Sequence, residues 1–135
     1  VWLWIGLCLS GCGGDLDDRP ASLAYIHAAI IQPNCTSVGC HSKFTASGGL
    51  RLETLEDAYF GLVVDNIVVP GRPDASRLLY LLRGDEVPRR MPPDQALPSA
   101  DVDLIERWIL EGAARNYRCA RESRASSAPS ASYWP

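Results

Sequence analysis

The sequence has few histidines and methionines: two histidines, His27 and His41, and one methionine, Met91, among 135 residues. Lys43 is the only lysine, and no run of basic residues marks a nucleic-acid-binding stripe. The formal charge of −3 is also too small to imply a nucleic-acid partner. The candidates for a metal site are therefore few and easy to name.

No apolar run is long enough to span a membrane as a helix, which needs about 20 residues. The apolar N-terminal run ends near Leu9. This run is typical of a secretory signal, which we place at residues 1–11. The following Leu9-Ser-Gly-Cys12 looks like a bacterial lipobox, in which Cys12 would be acylated and would anchor the chain. A buried N-terminal strand or helix is the alternative. We expect an acidic tether over residues 12–20.

One domain, residues 21–118, fits the length and the 47% apolar content, and a polar tail follows over residues 119–135. Apolar spacing in this domain predicts an all-α fold of three or four helices with long loops and little strand. The first helix starts near Ser22 and is closed by Pro33. Its apolar face consists of Leu23, Ile26 and Ile30.

A second, short helix is predicted from Thr54, with Asp57 completing a capping box, to Gly61. Short extended pieces are weakly indicated at 63–64 and 67–69. A third helix opens at Pro73-Asp74 and stops at Gly84.

The last helix follows a stiff, proline-rich loop over residues 87–98. Ser99 is the predicted N-cap of this helix. An apolar stripe then runs along it, formed by Val102, Ile105, Trp108, Ile109 and Ala113.

A pair of cysteines, Cys35 and Cys40, is followed directly by His41. Such a pair ending in Cys-His is the signature of covalent haem attachment. Two thiols add to the vinyl groups of one porphyrin edge, and the adjacent histidine is then placed under the iron. The common spacing has two residues between the cysteines, whereas four lie between Cys35 and Cys40. Gly39 would relieve the strain of the resulting bulge.

Met91 is the candidate for the second axial ligand, because His/Met ligation raises the potential of a haem and suits an electron carrier. It stands in Arg89-Arg-Met-Pro-Pro93, whose prolines fix the loop backbone. The two arginines beside it are candidates to pair with haem propionates. A solvated charge pair is the alternative for them.

The order of these motifs resembles the single-haem cytochrome c-like domains of bacterial envelope lipoproteins, which are similar to class I cytochrome c and to planctomycete-type cytochrome domains. The resemblance covers about residues 21–114, with Gly48-Gly-Leu50 and the Met-Pro-Pro loop among its motifs. It implies one haem c held by Cys35, Cys40, His41 and Met91. It also implies that the first and last helices cross.

Three other interpretations of these residues remain open. A Cys35–Cys40 disulfide would make the domain a haem-free interaction module of the envelope. Structural zinc on Cys35, Cys40, His41 and Cys119 is chemically reasonable. Met91 would serve as a core residue if it binds nothing, since methionine fills gaps readily.

The sequence shows no Ser/His/Asp arrangement, no glycine-rich phosphate loop and no suggestive carboxylate pair, so we do not expect an enzyme or a small-molecule substrate. With both axial positions filled, the expected role is electron transfer. The partner would be a redox protein of the bacterial envelope, reached from the periplasmic side by a lipid-anchored domain. An iron lacking Met91 would favour gas sensing or peroxidase-like activity.

Overall fold

The computed structural model describes residues 17–85 and 89–115. The predicted signal, the first part of the tether and the predicted tail lie outside these ranges. No helix in the part of the chain that the structure describes is long and apolar enough to cross a bilayer.

The first helical unit is continuous from Leu23 to Cys35. It consists of α1 (Leu23–Ile26), a π-helical segment (His27–Ile31) and α2 (Gln32–Cys35). As predicted, Ser22 caps its start, because its hydroxyl accepts the amide proton of Tyr25 at 3.3 Å.

The prediction that Pro33 closes this helix is wrong, since Pro33 lies inside the first turn of α2. A proline there lacks the N–H that an ordinary helix would use. The side-chain amide of Asn34 donates to the carbonyl of Ile30, one turn earlier, at 2.8 Å. The continuation carries Cys35 to the end of a helix.

The second unit consists of α3 (Leu55–Tyr59) and a π-helical segment (Phe60–Val64). The predicted cap is confirmed, because the Thr54 hydroxyl accepts from the Asp57 amide at 3.0 Å. Gly61 does not end this helix, which corrects the prediction: the chain continues helically for another turn. The extended pieces predicted at 63–64 and 67–69 are also wrong, since the first is π-helical and the second forms bends and loop.

The remaining helices are α4 (Arg77–Arg83) and α5 (Ser99–Leu110), with short 3-10 turns at Ser47–Gly49 and Pro73–Ala75. The stop at Gly84 is confirmed, since this residue caps α4 in the left-handed conformation at φ 81°. Ser99 is the first helical residue of α5 rather than its cap, and Pro98 occupies the cap position.

The described residues contain helices and loops but no strand, which confirms the predicted small all-α fold. Helices α1 and α5 contact each other and share one core. The angle at which they cross stays a prediction. All the residues predicted on the two apolar faces are buried in this core: Leu23, Ile26, Ile30, Val102, Ile105, Trp108, Ile109 and Ala113.

A charged network fastens the segment before α1 to the last helix. Arg19 binds Asp17 at 2.7 Å and Asp101 of α5 at 2.5 Å. Arg107, also on α5, donates to the main-chain carbonyls of Asp17 and Arg19. The bonds from Arg19 lower the pKa of Asp17 to about 2, so this carboxylate is ionised from mildly acidic pH upward. The C-terminal end of the predicted tether therefore lies on α5.

Neighbouring residues of α5 provide a paired test of the core. Ile109→Ala should lower the free energy of unfolding by about 2–5 kcal/mol, because it empties a site in the packed interior. Ile109 is fully buried, whereas the side chain of Leu110 is 59% exposed. Leu110→Ala, the control, should change stability by no more than about 0.5 kcal/mol. Urea denaturation measures both, and equal losses would contradict this packing of α5.

Candidate functional site

A cavity of about 200 Å³ lies between the end of α2, the loop that follows it, α4 and the loop around Met91. Cys35, Cys40, His41 and Met91 all line this cavity. Met91 is fifty residues from His41 in the chain, so it is the fold that brings them together. The structure thus places all four predicted donors against one space.

The rest of the wall is almost entirely hydrocarbon. It is formed by Leu50, Leu52, Leu62, Ile67, Leu78, Leu81, Leu82, Pro92 and Pro93, together with Asn34, Gly39 and Ser47. An apolar lining with a few polar groups is typical of a pocket that receives a large, mainly hydrophobic cofactor.

Helix α4 has leucines both in the core and on the wall of the cavity. Leu79 is buried in the core, Leu78 and Leu81 are only partly buried and line the cavity, and Leu82 is buried and also lines it. Leu81 was not predicted as a site residue. The signal for it was available, because four leucines among the seven residues of α4 are more than a single apolar stripe requires.

His41 is held by its side chain and by its main chain. Its Nδ1 lies 3.2 Å from the carbonyl oxygen of Leu50. A carbonyl only accepts hydrogen bonds, so Nδ1 carries the proton and Nε2 of the neutral ring keeps its lone pair. The amide of His41 donates to the carbonyl of Cys35 at 3.0 Å, and its own carbonyl accepts from the amide of Leu52 at 2.9 Å. A metal-binding histidine is commonly oriented in this way.

Cys35 and Cys40 are both free thiols, so the alternative disulfide is not formed in this structure. Cys35 packs against the core. Burial, with a smaller contribution from Cys40, raises the pKa of Cys35 to about 11, so its thiol is protonated at neutral pH. The hydroxyl of Ser37 donates to Sγ of Cys40 at 3.0 Å.

Ser37 is a contact that the sequence pattern did not single out. It occupies the position that a two-residue spacing before Cys40 would give to the first cysteine. The hydroxyl therefore stands where that spacing would place a thiol, and Cys35, at the end of α2, supplies the second sulfur of the cavity instead.

The loop that carries Met91 is tied to α4, since the amide of Met91 donates to the carbonyl of Leu81 at 2.8 Å. The Met91–Pro92 peptide is cis. The side chain of Arg90 lies over this loop, with its nitrogens 3.5 Å from the carbonyls of Pro92 and Pro93. Neither Arg89 nor Arg90 lines the cavity, so the interpretation as propionate partners gains no support from the structure.

Two sulfurs for covalent attachment, an imidazole with a free Nε2 and a thioether are the donor set that a covalently bound haem requires, and they share one apolar cavity. The residues present therefore fit the group. Zinc fits less well: no three His, Cys, Asp or Glu side chains within residues 17–85 and 89–115 are grouped to hold a metal ion. Cys119 lies outside these residues.

A small helical domain with these four side chains on one cavity resembles the cytochrome c-like class. Residues 38–95 match the family model described as Planctomycete cytochrome C. The match supports a planctomycete-type cytochrome c-like domain over this segment, and at a coarse level it suggests an electron-transfer cytochrome. The match includes Cys40, His41 and Met91, and Cys35 precedes it by three residues. Neither the curated proteins nor the solved structures include a match to the chain.

Proposed function

We propose that this chain is a lipid-anchored c-type cytochrome that carries one haem and transfers electrons in the bacterial envelope. A single observation carries the proposal: two thiols, an imidazole and a thioether, drawn from distant parts of the sequence, line the same apolar cavity. The family match supports the class of cofactor.

Each of the four side chains has a role in this proposal. Cys35 and Cys40 would hold the haem through thioethers, in which an S–H bond adds across a vinyl double bond and no oxidant is needed. His41 would bind the iron through Nε2, and Met91 would supply the second axial sulfur. When bound, the haem contributes a one-electron iron couple.

The surroundings of the cavity fit an electron carrier better than an enzyme. Its wall supplies almost no polar group that could orient a substrate or move a proton. With His41 and Met91 both on the iron, no open position is left for a ligand. An apolar wall also limits solvent access, one of the factors that set the potential of a haem. The partner we propose is a redox protein of the envelope.

Anchoring through Cys12 is the second part of the proposal, and the motif Leu9-Ser-Gly-Cys12 supports it. The described chain begins five residues after Cys12, at Asp17, which Arg19 and Arg107 hold on α5. A lipid on Cys12 would therefore keep the domain close to a membrane on the periplasmic side.

The full chain, expressed together with the haem-attachment machinery, should gain the mass of one haem and show the reduced-minus-oxidised spectrum of a c-type cytochrome. Cys35→Ser and Cys40→Ser should each keep one covalent link, and the double variant should keep none. Intact mass and spectra of denatured protein measure this. A wild-type mass lacking haem and lower by two hydrogens would show the disulfide of a haem-free module and would refute the proposal.

Met91→Ala should lower the reduction potential, because it removes the thioether that stabilises ferrous iron. The fall should be a fraction of the ~0.8 V over which axial ligands set haem potentials. The open position should also bind carbon monoxide. Gln95→Ala, an exposed neutral site on the same loop, is the control and should do neither. An unchanged spectrum and potential in Met91→Ala would remove Met91 as a ligand.

Cys12→Ser should move the protein from the membrane fraction to the soluble fraction. Cys8→Ser is the matched control, since Cys8 lies in the predicted signal and would be removed with it. Detergent-phase partitioning of both variants measures the effect. If Cys12→Ser stays with the membrane, the anchor is not at Cys12.

A further inference from the structure

The main chain of residues 50–52, here called the support segment, holds His41 at two points. Its Leu50 carbonyl accepts from Nδ1 of His41 at 3.2 Å. Its Leu52 amide donates to the carbonyl of His41 at 2.9 Å. The direction of the His41 ring therefore depends on where this segment lies.

His27 binds the support segment from the other side. It belongs to the first helical unit, its side chain is 6% exposed, and it does not line the cavity. Its Nε2 lies 3.0 Å from the carbonyl of Leu52. Because that oxygen only accepts hydrogen bonds, the His27 ring must be the donor. This bond satisfies a buried imidazole that is neither apolar core nor cavity wall.

Gly61 allows the same segment to approach the second helical unit. A Cβ built at this buried position would collide with the Leu50 side chain and would stand 3.5 Å from the Arg51 carbonyl. Its backbone is not in the left-handed region, so the demand for glycine here is one of space and not of conformation. A methyl group would push Leu50, which lines the cavity.

We propose that His27 and Gly61 are positioning residues for His41, acting through the support segment. The inference rests on the proposed function, in which His41 binds the iron. A firm Nδ1–H···O=C bond to Leu50 gives the imidazole more electron density to donate, which favours ferric iron and lowers the potential. Loosening the segment weakens that bond, so the potential rises.

His27→Leu, which removes the N–H, should raise the reduction potential with His/Met ligation retained. It should also speed hydrogen exchange of the Leu52 amide by about 2- to 10-fold, the equivalent of one hydrogen bond. His27→Gln keeps an N–H donor and should return both quantities toward the wild-type values. Unchanged potential and exchange in a folded His27→Leu protein would overturn the role of His27.

Gly61→Ala should produce the same two changes, and Leu50→Ala provides the rescue. Shortening Leu50 removes the side chain that the new methyl group would strike, while its carbonyl remains in the main chain. The double variant Gly61→Ala/Leu50→Ala should therefore match Leu50→Ala alone, a non-additive result typical of residues in contact. Additive effects, or a silent Gly61→Ala, would overturn the role of Gly61.

The two readouts separate this inference from the proposed function. Exchange of the Leu52 amide is measured on the full chain in whichever form it is isolated, with or without haem. A chain without haem refutes the cytochrome proposal, and faster exchange in His27→Leu would then still show that His27 holds the segment. If haem is bound and the variants lose stability while the potential does not move, His27 and Gly61 only support the fold.

Discussion

The hydrogen bond between Nδ1 of His41 and the Leu50 carbonyl is the contact on which the candidate site depends. It closes the loop between the end of α2 and the support segment. It also decides which ring nitrogen keeps a lone pair. Without it, the imidazole could adopt either tautomer, and the presence of Cys40 and Met91 on the same cavity would not fix which ring nitrogen is free.

The same short helices must meet two packing requirements. Each must bury a face in the core, since a domain of this size has little stability to spare, and several must also wall a cavity. Helix α4 does both through leucines on two faces. Cys35 is likewise at a boundary, packed on the core while lining the cavity. Filling such a cavity with an apolar group would stabilise the folded state by ordinary linkage.

The parts of the fold that could be predicted are those set by local pattern. The stripe on α5, the Thr54 cap and the Gly84 stop follow from spacing and from side chains that contact their own helix. Pro33 and Gly61 misled the prediction because each was judged only by its local tendency to end a helix. Pro33 stands in the first turn of α2, and Leu50 occupies the space next to the glycine.

The candidate donors of the site could be named from the sequence because His41 and Met91 belong to residue types that are scarce in this chain. The support of His41 was not, because it consists of main-chain carbonyls that any sequence offers. Nothing in the letters of residues 50–52 marks them as partners of two histidines. Only the path of the chain brings Leu52 within reach of His27.

Under the proposed anchor on Cys12, the charged network at the start of the domain limits how far the cavity can lie from the membrane. Asp17 is fixed on α5. Five peptide units separate it from Cys12, and they can span at most about 18 Å. If Cys12 is anchored as proposed, a tether this short would keep the domain from diffusing across the periplasm. Under the proposed anchor, its partner must come to the membrane surface or reside there, and the lateral mobility of the lipid would set how often they meet.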